Sequence, residues 1–166
     1  MTDEQPAPVI LFRKIEYADL PAVIEIDRVS FSMPWPPQSF EFELKNNPVA
    51  RLWLAEAVQE DGSRQVCGMI VVWLVIDEAH IGTIAVLPGY RRQGIATRLL
   101  KFSLTRLQHE GARSVYLEVR HSNIEAQRLY DRFGFKLSGV RKNYYSDNNE
   151  DALLFTLDHL EQKSFY

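Results

Sequence analysis

The segment Leu87-Pro88-Gly89-Tyr90-Arg91-Arg92-Gln93-Gly94-Ile95-Ala96-Thr97 holds the clearest chemical signal in the chain. A strand stops at Leu87-Pro88, a turn follows, and a helix opens near Gly94. A helix start presents N–H groups with no internal partner and the positive end of the helix dipole, so it favours an anion. Gly94 and the small Ala96 admit a ligand's oxygens close to the backbone, and Arg91 and Arg92 add positive charge beside them. That chemistry suits a phosphate or pyrophosphate. Residue types alone leave a second reading open, in which Gly94 only starts a helix and the arginines are solvated. The spacing matches neither the Walker pattern nor GxGxxG, which argues against ATP and NAD.

Two further side chains have the right chemistry for proton transfer. Glu118 lies in the apolar strand Val115-Tyr116-Leu117-Glu118-Val119, on the face opposite Leu117 and Val119. An exposed strand carboxylate and a general base both fit that placement. Tyr130 sits on a helix between Leu129 and Phe133, where core packing competes with a role as an acid. Cys67, the only cysteine, has no histidine near it in sequence and sits in an apolar strand, so a small buried residue is expected rather than a nucleophile. His80, His109, His121 and His159 show no metal-ligand spacing, and no metal is expected.

The elements that must position these groups follow from periodicity. Val9–Ile15, Arg51–Val58, Val66–Ile76, Ala79–Val86, Ser114–Val119, Phe135–Tyr145 and Ala152–Leu157 read as strands. Helices are expected from Leu20 to about Val29 with Asp19 as cap, from Ser39 to Asn46, and from Ile95 to Gly111. A fourth is opened by Ser122, in the capping box Ser122-Asn123-Ile124-Glu125, and closed by Gly134. Three prolines around Trp35 make Phe31–Pro37 a loop. The fold class is α/β (α+β), with one mixed sheet of about seven strands flanked by about four helices.

With 166 residues, one domain is expected: a tail over 1–8, a folded body over 9–160, and a second tail over 161–166. Nineteen basic against 22 acidic residues give a formal charge of −3, which disfavours a protein that coats nucleic acid. The acidic, proline-containing start does not read as a secretory signal, and the longest apolar run, Met69 to Ile76, is only strand-length. No membrane association and a cytoplasmic location are therefore expected. Oligomeric state is left open.

Arg91-Arg92-Gln93-Gly94-Ile95-Ala96 resembles the Gln/Arg-x-x-Gly-x-Gly/Ala loop of the GCN5-related N-acetyltransferases (GNAT). The order of elements fits that family over about residues 9–158. Ile84-Ala85-Val86, Leu117-Glu118-Val119-Arg120, Ser122-Asn123, Leu129-Tyr130, Gly134-Phe135 and Arg141-Lys142-Asn143-Tyr144-Tyr145 further resemble the bacterial ribosomal-protein-alanine N-acetyltransferases. The resemblance implies acetyl-CoA as co-substrate, its pyrophosphate held by the backbone from Arg91 to Thr97. It also implies pantetheine contacts from Ile84, Ala85, Val86 and Asn123, with the strand splaying from its neighbour at a bulge.

Acetyl transfer to an amine requires a base for the amine, stabilisation of the oxyanion and an acid for the departing thiolate. The resemblance implies Glu118 as base, through a water, and Tyr130 as acid, in direct attack within a ternary complex. It implies a protein N-terminus as acceptor, with alanine of a ribosomal protein as the specific expectation. Trp35, Tyr144 and Tyr145 are candidate walls of its groove. Adjacency in a strand sends Tyr144 and Tyr145 to opposite faces, so one at most is expected to face the groove. Asp147, Glu150 and Asp151 either attract a basic peptide or form a solvated turn. The alternatives are a GNAT enzyme of a small amine or antibiotic, and a non-catalytic acyl-CoA-binding module.

Overall fold

The computed structural model describes residues 8–165, so nearly all of the expected tail over 1–8 lies outside the described residues. Seven strands form one sheet: β1 (Ile10–Lys14), β2 (Ala50–Val58), β3 (Arg64–Val75), β4 (Glu78–Val86), β5 (Ser114–Arg120), β6 (Lys136–Tyr145) and β7 (Glu150–Leu157). Their spatial order is β1-β2-β3-β4-β5-β7-β6. Every neighbouring pair is antiparallel except β4–β5. A parallel pair needs a crossover, and α3 (Ile95–His109) supplies it.

Helices α1 (Leu20–Ser30) and α2 (Pro37–Asn46) cover one face, where Leu20, Val23, Ile26 and Phe40 bury against Leu52, Leu54, Met69 and Val71. On the other face, Leu99, Leu100, Leu104 and Leu107 of α3 follow helical spacing onto Ile70, Val72, Ile81 and Leu117. Helix α4 (Ile124–Arg132) joins that layer through Leu129 and Tyr130. No helix among the described residues is long and apolar enough to cross a membrane.

Two helix starts differ from expectation. Asp19 does precede α1 but does not cap it: its carboxylate accepts from Arg13 at 2.7 and 2.9 Å and from the Glu16 N–H at 2.7 Å. For α4 the cap is Asn123 rather than Ser122, with Asn123 Oδ1 accepting from the Ala126 N–H at 3.1 Å. At the other end of the chain, residues 161–165 are tied down rather than loose. Gln108 Nε2 donates to Leu160 O and Lys163 O at 2.7 and 3.0 Å, and Phe165 packs on Phe133.

What positions the site is a split in the middle of the sheet. β4 and β5 pair only from Glu78–Ser114 to Ile81–Leu117. Beyond that point β4 stays with β3 while β5 stays with β7 through Arg120. The register of β4 on β3 shifts between Val71 and Val72, where Thr83 and Ile81 are the partners and Gly82 is the extra residue. A Cβ at Gly82 would lie 2.6 and 2.8 Å from the Trp73 ring, so the bulge can form here only because the residue has no side chain.

Candidate active site

The open edge of β4 forms one wall of the split. Leu87 N donates to Cys67 O at 2.8 Å, which points that residue's backbone at β3. Antiparallel alternation then turns Ala85 toward β3 and leaves the N–H groups of Ile84 and Val86 facing the gap. Of the three residues expected to offer backbone donors, Ala85 is thus committed to the sheet, and two are free. Val86 O faces the same gap, where Arg91 Nε donates to it at 2.9 Å.

The turn that follows is curled by two left-handed residues, Arg92 (φ 62°) and Gly94 (φ 73°), and α3 begins without a side-chain cap. The first N–H groups of α3 therefore remain without a side-chain acceptor. Ile95 is buried beneath them and anchors the helix start. One of the two arginines is engaged by the protein and the other is solvated. Arg91 braces the turn, with its Nη2 also donating to Ser30 Oγ at 3.1 Å, while Arg92, 87% exposed, lies 3.7 Å from Glu125. Gln93 closes on Gly89 O at 3.3 Å. The main chain, rather than a guanidinium, is what this turn offers to an anion.

Nothing lies within 4 Å of a Cβ built at Gly94, so the space beside it is open, but its φ is costly for a branched side chain. Gly94→Val is expected to weaken acetyl-CoA binding by about tenfold or more, the equivalent of about 1.4 kcal/mol. Calorimetric titration of the folded variant checks this, and unchanged affinity would remove the turn from the binding site.

Glu118 occupies the first stretch of β5 past the split. Its Oε2 lies 2.6 Å from His80 Nε2, and its Oε1 lies 3.9 Å from Arg141 Nη2. His80, with burial opposing it and Arg141 assisting, holds the Glu118 carboxyl below the usual range. Glu118 is thus a paired, ionised carboxylate at the split rather than a solvated strand residue. His80 was not singled out from the sequence.

Tyr130 is buried in the α3–α4 layer, where its ring packs on Phe135 at 5.6 Å and on Phe155 at 6.4 Å. Burial drives its phenol well above the ordinary range, aided by nearby Tyr145, so it stays protonated. The Tyr130 hydroxyl bonds to no described residue. Tyr145 lies close to both Tyr130 and Glu118, and burial pushes its own phenol up to about 12.

The expected alternation of Tyr144 and Tyr145 fails. β6 bulges between Arg141 and Tyr145 at Asn143, whose φ is 51°, and the two rings meet edge to face at 5.1 Å. Trp35 stacks on Trp73 at 5.8 Å and 7° and packs on Phe40, so it roofs the core beside Gly82 while remaining partly exposed. The Trp35 backbone N–H donates to Oδ2 of buried Asp27 at 2.7 Å, which pins the loop.

Arg120, at the end of β5, ties the α1–α2 loop to the β6–β7 turn. It donates to Asp147 at 2.8 Å, to Glu150 at 3.3 Å and to Ser32 at 3.3 Å, and it covers the Tyr145 ring at 3.9 Å. Ser32 donates to Asp147 at 2.6 Å, so the α1–α2 loop and the β6–β7 turn are joined directly. Asp147, Glu150 and Asp151 are consequently engaged by Arg120, Ser122, Asn143 and Lys142 within the protein.

Cys67 is buried, its Sγ 3.4 Å from Ala55 O, and burial pushes its thiol up to about 11, which leaves it unionised near neutrality. No group of three or more His, Cys, Asp or Glu among the described residues is gathered to hold a metal.

Comparison with known proteins shows the family that has this fold. The profile of the Acetyltransferase (GNAT) family matches residues 20–135. The chain belongs to the GNAT acetyltransferase family. It is 40% identical over 142 residues to a putative [ribosomal protein bS18]-alanine N-acetyltransferase of Bacillus subtilis, covering 86% of this chain and 91% of that one. The crystal structure of the ribosomal-protein-S18-alanine N-acetyltransferase from Escherichia coli superposes with a TM-score of 0.81 at 30% identity, covering 95% of this chain and all (100%) of that one. Arabidopsis thaliana NAA60 in complex with a bisubstrate analogue gives 0.80 at 25% identity, covering 90% of this chain and 98% of that one. This GNAT chain is an acetyl-CoA-dependent N-acetyltransferase. The open β4 donors and the Gly94 turn are of the kind such a co-substrate requires: two amide donors in line with an anion site.

Proposed function

We propose that this enzyme acetylates the N-terminal α-amine of a protein, with the alanine terminus of ribosomal protein bS18 as its acceptor. The observation that carries the chemistry is the split between β4 and β5, which sets free backbone donors on one side and the ionised Glu118 on the other. The acceptor assignment is supported by the names of the relatives above and by the joined α1–α2 loop and β6–β7 turn, which wall the cleft as a passage for an extended chain. Acetyl-CoA, when bound, supplies the activated acyl thioester. The Ile84 and Val86 N–H groups hold its arm, and the turn from Arg91 to Thr97 holds its pyrophosphate. Glu118 removes the ammonium proton of the acceptor, and Tyr130 donates a proton to the departing sulfur. Asn123 keeps its Nδ2 for the arm while its Oδ1 caps α4. Trp35, Tyr144 and Tyr145 form the acceptor wall.

An α-amine has a pKa near ~8 against ~10.4 for a lysine, so a modest base suffices for the first and not the second. The test is mass spectrometry after incubation with peptides that start with the bS18 alanine sequence, with peptides that start with other residues, and with polyamines and aminoglycosides. Acetylation of the alanine α-amine is the expected result. Turnover confined to small amines or lysine side chains would overturn the proposal.

A further inference from the structure

Glu118 does not stand alone in the split. The His80 imidazole meets it at 2.6 Å, from a residue 38 positions earlier in the chain; His80 still pairs with Tyr116 across β4 and β5, and Glu118 is the first β5 residue beyond that pairing. The ring is held on its other side by Trp73, centroids 5.5 Å apart, and Trp73 is itself fixed by stacking on Trp35 and by donating Nε1–H to Glu43 at 2.8 Å. Two side chains thus hold the imidazole directly, and Trp35 and Glu43 hold one of those two in place. The His80 side chain still has 40% of its surface open, whereas that of Glu118 has 17%.

We infer that the base is the His80–Glu118 pair, in which His80 holds the proton taken from the acceptor and Glu118 orients and neutralises it; this rests on the assignment of Glu118 to the acceptor side of the split. The balance is simple. The ammonium and the neutral imidazole beside a carboxylate become a free amine and an imidazolium beside the same carboxylate, and no other reactant is needed. Donation of Nε2–H to Glu118 Oε2 leaves Nδ1 of the neutral ring with its lone pair, and no described residue bonds to it.

The chemistry favours the ring as resting place. With its carboxyl held below the usual range, Glu118 is poorly matched to a donor near ~8, whereas the ring it contacts keeps a free lone pair on Nδ1. The charged and titratable groups around His80 are few. From β5 come Glu118 and the register partner Tyr116; from β6, Arg141 behind Glu118 and Tyr145 near it; and from α2, Glu43 behind Trp73. The carboxylate at 2.6 Å is much the nearest, and it favours the imidazolium.

The experiment compares His80→Gln and Glu118→Gln with the wild type, in kcat across pH 5.5 to 9 at saturating acceptor, with CoA affinity measured alongside. In the wild type kcat is expected to rise as an imidazole-range group loses its proton. His80→Gln is expected to abolish that limb and to lower the plateau about tenfold, with CoA affinity unchanged. An unaltered limb and plateau would overturn the pair. Should Glu118→Gln retain full activity, the Glu118 assignment itself fails. A dead Glu118→Gln with a wild-type-like His80→Gln removes the pair alone. A second measurement needs no His80 variant. The chain has four histidines, and in ring NMR one of them should titrate at lower pH in Glu118→Gln than in wild type; four unchanged titrations would overturn the proposal.

Discussion

Replacing Tyr130 by Phe is expected to lower kcat about a hundredfold and to leave CoA affinity within about twofold. The substitution removes one oxygen and nothing else that the fold uses. The ring is wedged between Phe135 and Phe155, contacts that a phenylalanine keeps. The hydroxyl makes no hydrogen bond to a described residue, so its loss orphans no partner, and thermal stability should be unchanged or slightly raised. The hydroxyl is not among the enclosed oxygens left without a partner, so it is open to an external acceptor, and a departing thiolate is one of the right charge. Because burial holds the phenol above its ordinary range, Tyr130 is protonated at any pH where the enzyme is tested, and its loss should scale the rate profile down without bending it. Steady-state kinetics beside calorimetry separate the two effects; an unchanged kcat would take Tyr130 out of the chemistry.

Much of this arrangement is legible in residue order. The seven strands and four helices stand within a few residues of where periodicity puts them, because each apolar stripe has one partner layer to meet. The Gly94 turn is legible for a local reason, since a left-handed residue just before an apolar helix stripe has few substitutes for glycine. What escaped was mostly long-range. His80 and Glu118 meet only because β4 and β5, joined by α3, lie side by side; the crossover pattern was visible, but pairing two polar residues on it needs the register. Arg120 reads as the end of a strand, and its grip on Asp147, Glu150 and Ser32 joins segments 88 residues apart. The misreading of Tyr144 and Tyr145 has a nearer cause. Strict alternation assumed an unbroken β6, whereas Asn143, one of the residue types that tolerate a positive φ, marks the bulge that turns one ring onto the other.

Glu118→Gln should cost more than any other single change, about 10²- to 10³-fold in kcat at pH 7, and the size of the deficit should depend on the acceptor. Glutamine fits the strand and can still accept from His80, so CoA affinity and the fold should persist, but it neither takes a proton nor neutralises an imidazolium beside it. Near neutrality an α-amine with a pKa of ~8 is about one-tenth free base, and by pH 9 it is about nine-tenths free. Solvent then does part of the work of the missing carboxylate, so the deficit should narrow by up to about tenfold between pH 7 and pH 9. A lysine acceptor at ~10.4 would still be mostly protonated at pH 9, so its deficit would go on narrowing well above pH 9 instead of levelling off there. The carboxyl itself does not interfere. His80 and Arg141 hold it below the usual range, so in the wild type it remains ionised throughout the interval and the curvature reports the acceptor and the imidazole. A deficit that stays constant from pH 7 to pH 9 with an alanine-starting peptide would show that Glu118 serves something other than the proton of the attacking amine.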